Sequence, residues 1–320
     1  MLICLFTRFS LIRSRDQSTK AKCFSAVSGF EELSDVAHFG LHSIRGFKCE
    51  RCAFCDREAS ISGEHIWSEW IAELLHPRVK TFYLTRFDSS AGKHNRWKKP
   101  RLNEKTNVVC QACNNTWMSD IESHAQKTLS WIIRDAAPVS LLSRGIASFA
   151  TFAFKCAVVA NHMSVALDSP FFSTRERYAF RESLKIPDGT HIWAALLNSK
   201  RRDGRKSYTG RWLVYYGQTS SSVPGDLDMN FLVFNFAAGH LAFQVVAPKW
   251  SRLHDAARYK LPELAADSSW DSATVRVWPP DGFPVLWPPR LYLDDQSLNA
   301  FIDRFGDRIR VGPVTRGILG

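Results

Sequence analysis

The sequence predicts an α+β protein, a small metal-stabilised domain followed by a mixed domain of helices and antiparallel sheet, and three observations carry that prediction. Two Cys-x2-Cys pairs, Cys52/Cys55 and Cys110/Cys113, offer four thiolates of the kind zinc binds tetrahedrally, and each two-residue spacer lets a tight turn aim both sulfurs at one ion. Beyond Cys113, Trp117, Ile121, Leu129 and Ile132 recur at helical spacing. From His191 the pattern changes to short β-rich runs, HIWAALL, GRWLVYYG, MNFLVFNFAAG and HLAFQVVA, separated by the turn-forming stretches RRDGRKSYTG, SSSVPGD and AAGH. The expected divisions are an N-terminal extension over 1–48, the cysteine-bearing domain over 49–137 and an accessory α+β domain over 138–320.

Taken in order, residues 1–48 mix a short apolar patch with SRDQSTKAK and show no sustained period, as an accessory extension would. The stretch CERCAFC then offers two overlapping knuckles, Cys49/Cys52 and Cys52/Cys55; the second is preferred because the first leaves an odd thiol. The polar DREASISG leads to Glu64 and His65, and IWSEWIAELL spaces Ile66, Trp67, Trp70, Ile71, Leu74 and Leu75 as a helix that Pro77 ends. VKTFYLTRF reads as a strand, DSSAG as a turn, KHNRWKKPR as a basic loop and TNVVC as a short returning strand. A helix follows from Asn114 to the vicinity of Pro138, and a second, buried one over 139–167. STRERYAFRESL forms an amphipathic helix ahead of the sheet. The proline-rich VWPPDGFPVLWPP packs rather than projects, because Trp278 and Trp287 are costly to expose, and DDQSLNAFIDRFGDR forms a last helix.

Composition narrows the class. With 320 residues, 45% of them hydrophobic and 12% aromatic, the chain can bury two ordinary cores, and no internal repeat is visible. A net charge of +11 and a pI near 9.4 favour a polyanionic partner, nucleic acid first. Four of the eight cysteines are in metal-type pairs, and Cys4, Cys23, Cys49 and Cys156 form no disulfide framework, so a reducing cytoplasm is expected. MLICLFTRFSLIRSR has neither a basic region before its apolar run nor a small-residue cleavage site after it, and is not read as a signal peptide. Gly145–Leu167 is long enough to span a bilayer, but Lys155 in its middle would cost about 3 kcal/mol there. A buried helix is expected instead, with no membrane partner.

The segment between the cysteine pairs carries the candidate chemistry. His65 can take a proton from water at cellular pH if its ring is held, and Glu64 and Asn114 are hard oxygen ligands of the type Mg2+ prefers. Because the metal fixes Cys113, it also fixes Asn114. Asn115 is the alternative ligand, or the N-cap of the helix. Glu122, two turns and about 12 Å further along that helix, reads as a packing or capping residue, and His124 points elsewhere again. Lys93, Arg96, Lys98, Lys99 and Arg101 around Trp97 can neutralise phosphates while the indole stacks on a base, or can form an ordinary solvated loop.

From Cys52 to about Glu122 the series C-x2-C, Glu-His, N-V-V-C-x2-C-N resembles the HNH endonucleases, the ββα-metal nucleases in their four-cysteine treble-clef form. The resemblance implies that His65, ending the first strand, is the general base, and that Asn107 bonds the hairpin backbone and holds that base in place. It also implies that Glu64 and Asn114 hold Mg2+ or another divalent cation, while the four cysteines hold structural Zn2+. Asn114 stands where the family often carries His, and the stretch from His65 to Asn107 is longer than a minimal hairpin. DNA hydrolysis is therefore the expected activity. A zinc-bearing nucleic-acid-binding or assembly module without chemistry is the alternative. No phosphate loop, nucleophile elbow or acid pair is visible beyond residue 139.

Overall fold

Polar and glycine-containing stretches around the first cysteine pair set up short strands. The computed structural model describes residues 50–65, 68–75, 82–88, 93–99, 105–162, 171–198, 210–219, 229–248, 272–304, 310–311 and 315–319. The expected 1–48 extension, Cys49, Ile66, Trp67 and Arg101 lie outside them. In chain order come β1 (Glu50–Arg51), β2 (Glu58–Ala59), β3 (Ile61–His65), α1 (Glu69–Leu75), β4 (Phe82–Asp88), β5 (Lys93–Lys99) and β6 (Lys105–Cys110). The helical turn α2 (Gln111–Cys113) runs through a π-helical turn at Asn114–Met118 into α3 (Ser119–Asp135). Then follow β7 (Val139–Leu141), α4 (Ser143–Asn161) and α5 (Thr174–Ser183). The remaining elements are β8 (His191–Leu197), β9 (Gly210–Thr219), β10 (Met229–Ala238), β11 (Leu241–Pro248), β12 (Thr274–Trp278), β13 (Val285–Trp287), β14 (Tyr292–Leu293), α6 (Asp295–Asp303), β15 (Arg310–Val311) and β16 (Thr315–Leu319).

The chain is thus α+β, with helices and mainly antiparallel strands. Among the described residues the largest sheet runs β12-β8-β11-β10-β9-β16-β4-β5, with β14 parallel to β8 and β15 beside β9. Two features of it were not expected. The stretch read as a basic loop, Lys93 to Lys99, is the strand β5 at the sheet's edge. Its hairpin with β4 also joins the sheet of the C-terminal half, because β16 pairs with β4 on one side and with β9 on the other.

Period-two alternation sorts the sheet's side chains between two cores. On β10, Leu232, Phe234, Phe236 and Ala238 face the core that α4 fills, while Phe231, Val233 and Ala237 face one that includes Leu298 and Phe301 of α6. Phe236 stacks on its cross-strand partner Phe243 at 4.6 Å, and Phe149 of α4 meets Phe243 edge-on at 5.8 Å. From Phe152 to Asn161 every residue of α4 is buried. That helix is long and apolar enough to cross a membrane by length and composition alone, but 67% of its apolar window is buried inside this protein, as in a core helix.

The turn between β10 and β11 docks on the end of α3. Gly239 has φ 59°, and a Cβ there would stand 2.2 Å from Ile133 O, so only glycine lets His240 N donate to that same carbonyl at 2.9 Å. The orphan carbonyl of the helix is thereby satisfied by the sheet. Residues from Glu50 to Gly320 form one compact unit, and the boundary expected near 138 falls inside it. The reason is physical: α4 packs against α3, and the tail strand β13 pairs with β7, burying Trp287 as expected of that tail.

Candidate functional site

Tight turns bring the four cysteines together. Asp56, at φ 51°, adopts the left-handed conformation that Asp tolerates, and its N–H donates to Cys52 O at 2.9 Å. Ala53 N donates to Val108 O at 2.8 Å, tying the first knuckle to β6, whose last residue is Cys110. The sulfurs of Cys52, Cys55, Cys110 and Cys113 all lie within 4.8 Å of one another, and all four residues are buried. Cys55 Sγ and Cys110 Sγ are 3.6 Å apart, close to the separation of about 3.8 Å that tetrahedral Zn–S bonds of about 2.3 Å impose.

Backbone amides point at the sulfurs as they would at thiolates. Cys110 N donates to Cys52 Sγ at 3.3 Å, Phe54 N to Cys52 Sγ at 3.5 Å, and Cys113 N to Cys110 Sγ at 3.4 Å. Burial pushes the Cys52 thiol up, but the amides of Cys110 and Phe54 outweigh it and hold that thiol below its ordinary value. Burial raises Cys55, and raises Cys113 well above the usual range against the pull of the Trp117 indole. An ion binding here therefore displaces protons from Cys55 and Cys113, as structural zinc does. The donor set fits a metal such as zinc.

The second half of the chain closes over this cluster. From α5, Arg177 Nε donates to Ala53 O at 2.7 Å, and its other nitrogens reach Phe172 O and, at 3.1 Å, Thr174 Oγ1. Tyr178 OH donates to Cys55 O. Below them Phe54, inside the knuckle, meets Trp117 at 5.3 Å; Trp117 meets Phe180 at 5.9 Å, and Phe180 meets Phe154 of α4 at 4.9 Å. Edge-to-face pairs of this kind add about 0.5–1.5 kcal/mol each to the burial of the rings.

From the cluster, β3 and β6 run out as an antiparallel ladder that ends with His65 opposite Lys105. The register slips between Ser62 and Glu64, a bulge that leaves Gly63 facing both Asn107 and Val108. A Cβ on Gly63 would stand 3.3 Å from Asn107 Oδ1, and Asn107 itself is exposed. The hairpin-bracing contact expected of Asn107 is made by Asn114, whose Nδ2 donates to Ser62 Oγ at 3.1 Å and to Gly63 O at 3.5 Å. Asn114 opens the π-helical turn, in which Thr116 leaves helical geometry at φ −113° and ψ −106° and Thr116 Oγ1 donates to Ala112 O at 2.7 Å. Asn115 is exposed.

Strand alternation turns Glu64 inward, to 3% exposure. There Lys155 Nζ, from the middle of α4, pairs with Glu64 Oε1 and also, at 2.6 Å, with Glu122 Oε1 of α3. Ser68 Oγ, just before α1, donates to the same Glu122 oxygen at 2.6 Å. Four separate segments thus meet at one buried ammonium. Burial lowers the Lys155 pKa, but Glu122 and Glu64 outweigh it and hold the amine charged. Burial raises Glu64, which Lys155 only partly offsets, whereas in Glu122 Lys155 and Ser68 overcome burial and leave the carboxyl below its ordinary value.

His65 is half-buried at the edge of this cluster. Burial lowers its pKa and the charge of Lys105 lowers it further, against the opposing pull of Glu69 and Glu122. Of the residues expected to hold a second ion, Glu64 is paired with Lys155 and Asn114 is bonded to the hairpin. Lys105, Glu122 and Lys155 were not among the expected site residues. A lone Lys inside FATFAFKCAVVA was the available signal, since a fully buried ammonium needs carboxylate partners. Side chains of Lys93, Arg96, Lys98 and Lys99 lie outside what is described, beyond their placement on the edge strand.

No protein family, no curated protein and no solved structure matches the chain.

Proposed function

We propose that the protein is an HNH-like nuclease that hydrolyses phosphodiester bonds, with DNA as substrate and His65 as general base. The observation that supports this most is the ladder from the sulfur cluster to His65. It ends on an imidazole held in its neutral form, directly across from the exposed ammonium of Lys105. A neutral ring takes the proton of an attacking water, and Lys105 meets the charge that gathers on the phosphoryl oxygens as the new P–O bond forms. The leaving oxygen collects a proton from solvent. Zinc, held by Cys52, Cys55, Cys110 and Cys113, supplies the rigidity that fixes β3 and β6. The treble-clef assignment belongs to this reading, as do the cytoplasmic setting and the role of β5 as a phosphate-binding strand.

The residues expected to hold Mg2+ do not fit that ion, because the Glu64 carboxylate is paired with Lys155 and the Asn114 amide is bonded to Ser62 and Gly63. That same pairing favours the second reading, a zinc-bearing module that binds nucleic acid without cutting it. Incubation of zinc-loaded protein with supercoiled DNA, with and without added divalent cations, separates the two. Nicking by wild type that falls about 10²–10⁴-fold in His65→Ala is the expected result. DNA binding without cleavage under every condition, or equal cleavage by His65→Ala, overturns the nuclease reading.

A further inference from the structure

We infer that Lys155 is a resident cation: its ammonium pairs with Glu64, one of the two residues to which the resemblance assigns a divalent metal, and with Glu122 beside it, and so stands in for that ion. The inference concerns the same site as the nuclease reading, but its test reads ion binding and not cleavage, so the two can fail separately.

Charge and connectivity carry it. Glu64 comes from the end of β3, Glu122 from the first turn of α3, Ser68 from the entry to α1 and Lys155 from the centre of α4. Lys155 is completely buried, and its long side chain reaches the acid pair from a helix in which the surrounding residues are apolar. A buried ammonium is tolerated only where carboxylates compensate it, and a buried acid pair only where a cation does; here each answers the other. Adding Mg2+ between these acids would set three positive charges against two carboxylates, one of which, Glu64, is almost wholly buried. The ion would also have to surrender its hydration for ligands already bonded to nitrogen. Displacing the amine instead would strand a charged lysine in the core.

Lys155 is fully buried and touches Glu64 and Glu122, so it is not a group that meets substrate. Both acids are held from segments far apart in the chain, which no local motif encodes.

The test is a Mn2+ titration of zinc-loaded protein followed by electron paramagnetic resonance, on wild type, Glu64→Gln, Lys155→Ala and the Lys155→Ala/Glu64→Gln pair. Wild type is expected to show no Mn2+ site that Glu64→Gln removes. Lys155→Ala is expected to gain one Mn2+ per chain, which disappears again when Glu64→Gln is added. A Glu64-dependent Mn2+ site in wild type overturns the inference, as does a folded, zinc-loaded Lys155→Ala that gains none. Should Lys155→Ala fail to fold, nitrogen-15 lysine spectra of wild type decide the matter. A solvent-protected ammonium resonance that is unchanged by Mg2+ supports the inference, and one that Mg2+ abolishes overturns it.

Discussion

Replacing Lys155 with methionine keeps the volume of the side chain and removes only its charge, which makes the energetic role of the ammonium measurable. In the wild type Lys155 Nζ is 2.6 Å from Glu122 Oε1 and contacts Glu64 Oε1, with side-chain exposures of 1% for Lys155 and 4% for Glu64. Without the amine, the buried Glu64 carboxylate is left facing that of Glu122, whose side chain is 23% exposed. Breaking a buried pair by removing one partner costs about 3–5 kcal/mol, a large share of the roughly 5–15 kcal/mol that holds an ordinary domain folded. In the variant both carboxyl pKa values are raised above their unfolded values. The penalty is therefore full at neutral pH and shrinks as acid protonates the pair in the folded state. Adding Glu64→Gln and Glu122→Gln to Lys155→Met removes the uncompensated charges and is expected to restore much of the loss. Urea unfolding of zinc-saturated proteins, at neutral pH and at about pH 5, reads all three effects. A Lys155→Met penalty below about 1 kcal/mol, the scale of an exposed pair, or one that does not shrink on acidification, would refute the reasoning.

Three further outcomes follow from particular side chains. Arg177→Met removes the guanidinium that fixes Ala53 O, at a cost of about 1.5–3 kcal/mol for a charged hydrogen bond, and should speed zinc release to a chromophoric chelator. Unchanged release would mean that α5 does not support the knuckle. Replacing Lys93, Arg96, Lys98 and Lys99 with glutamine should weaken DNA binding and flatten its salt dependence, by up to about one unit of slope for each phosphate no longer neutralised; an unaltered slope would remove β5 from the interface. Because burial and Lys105 hold His65 below the ordinary histidine value, the base stays neutral as pH falls. Cleavage should therefore persist below pH about 6.5 before it declines, and an acid limb above that value would contradict the assignment.

What could be seen in the sequence was local. The two cysteine pairs, the helices from Asn114 onward and from Thr174, and the strands after His191 follow from spacing within short windows, and they fold as expected. What could not be seen depends on partners distant in the chain. KHNRWKKPR is polar enough to read as a loop, and only pairing with β4, itself joined to the C-terminal β16, makes it a strand. Distance along the helix separates Glu122 from Asn114, whereas the partner that matters to it is Lys155, on another helix altogether. Asn114 makes the hairpin contact expected of Asn107, beside a bulge at Gly63, and bulges leave little trace in composition. A charged residue in an apolar helix did signal a buried pair, but its acids could be named only once α3, α4 and β3 were in place.

The most direct test of the whole account is single-turnover cleavage of DNA by protein carrying one zinc per chain, in buffer freed of every other divalent cation. Cleavage that proceeds there, that Mg2+ does not accelerate and that His65→Ala abolishes is the predicted result. Cleavage that appears only when Mg2+ or Mn2+ is supplied would contradict it.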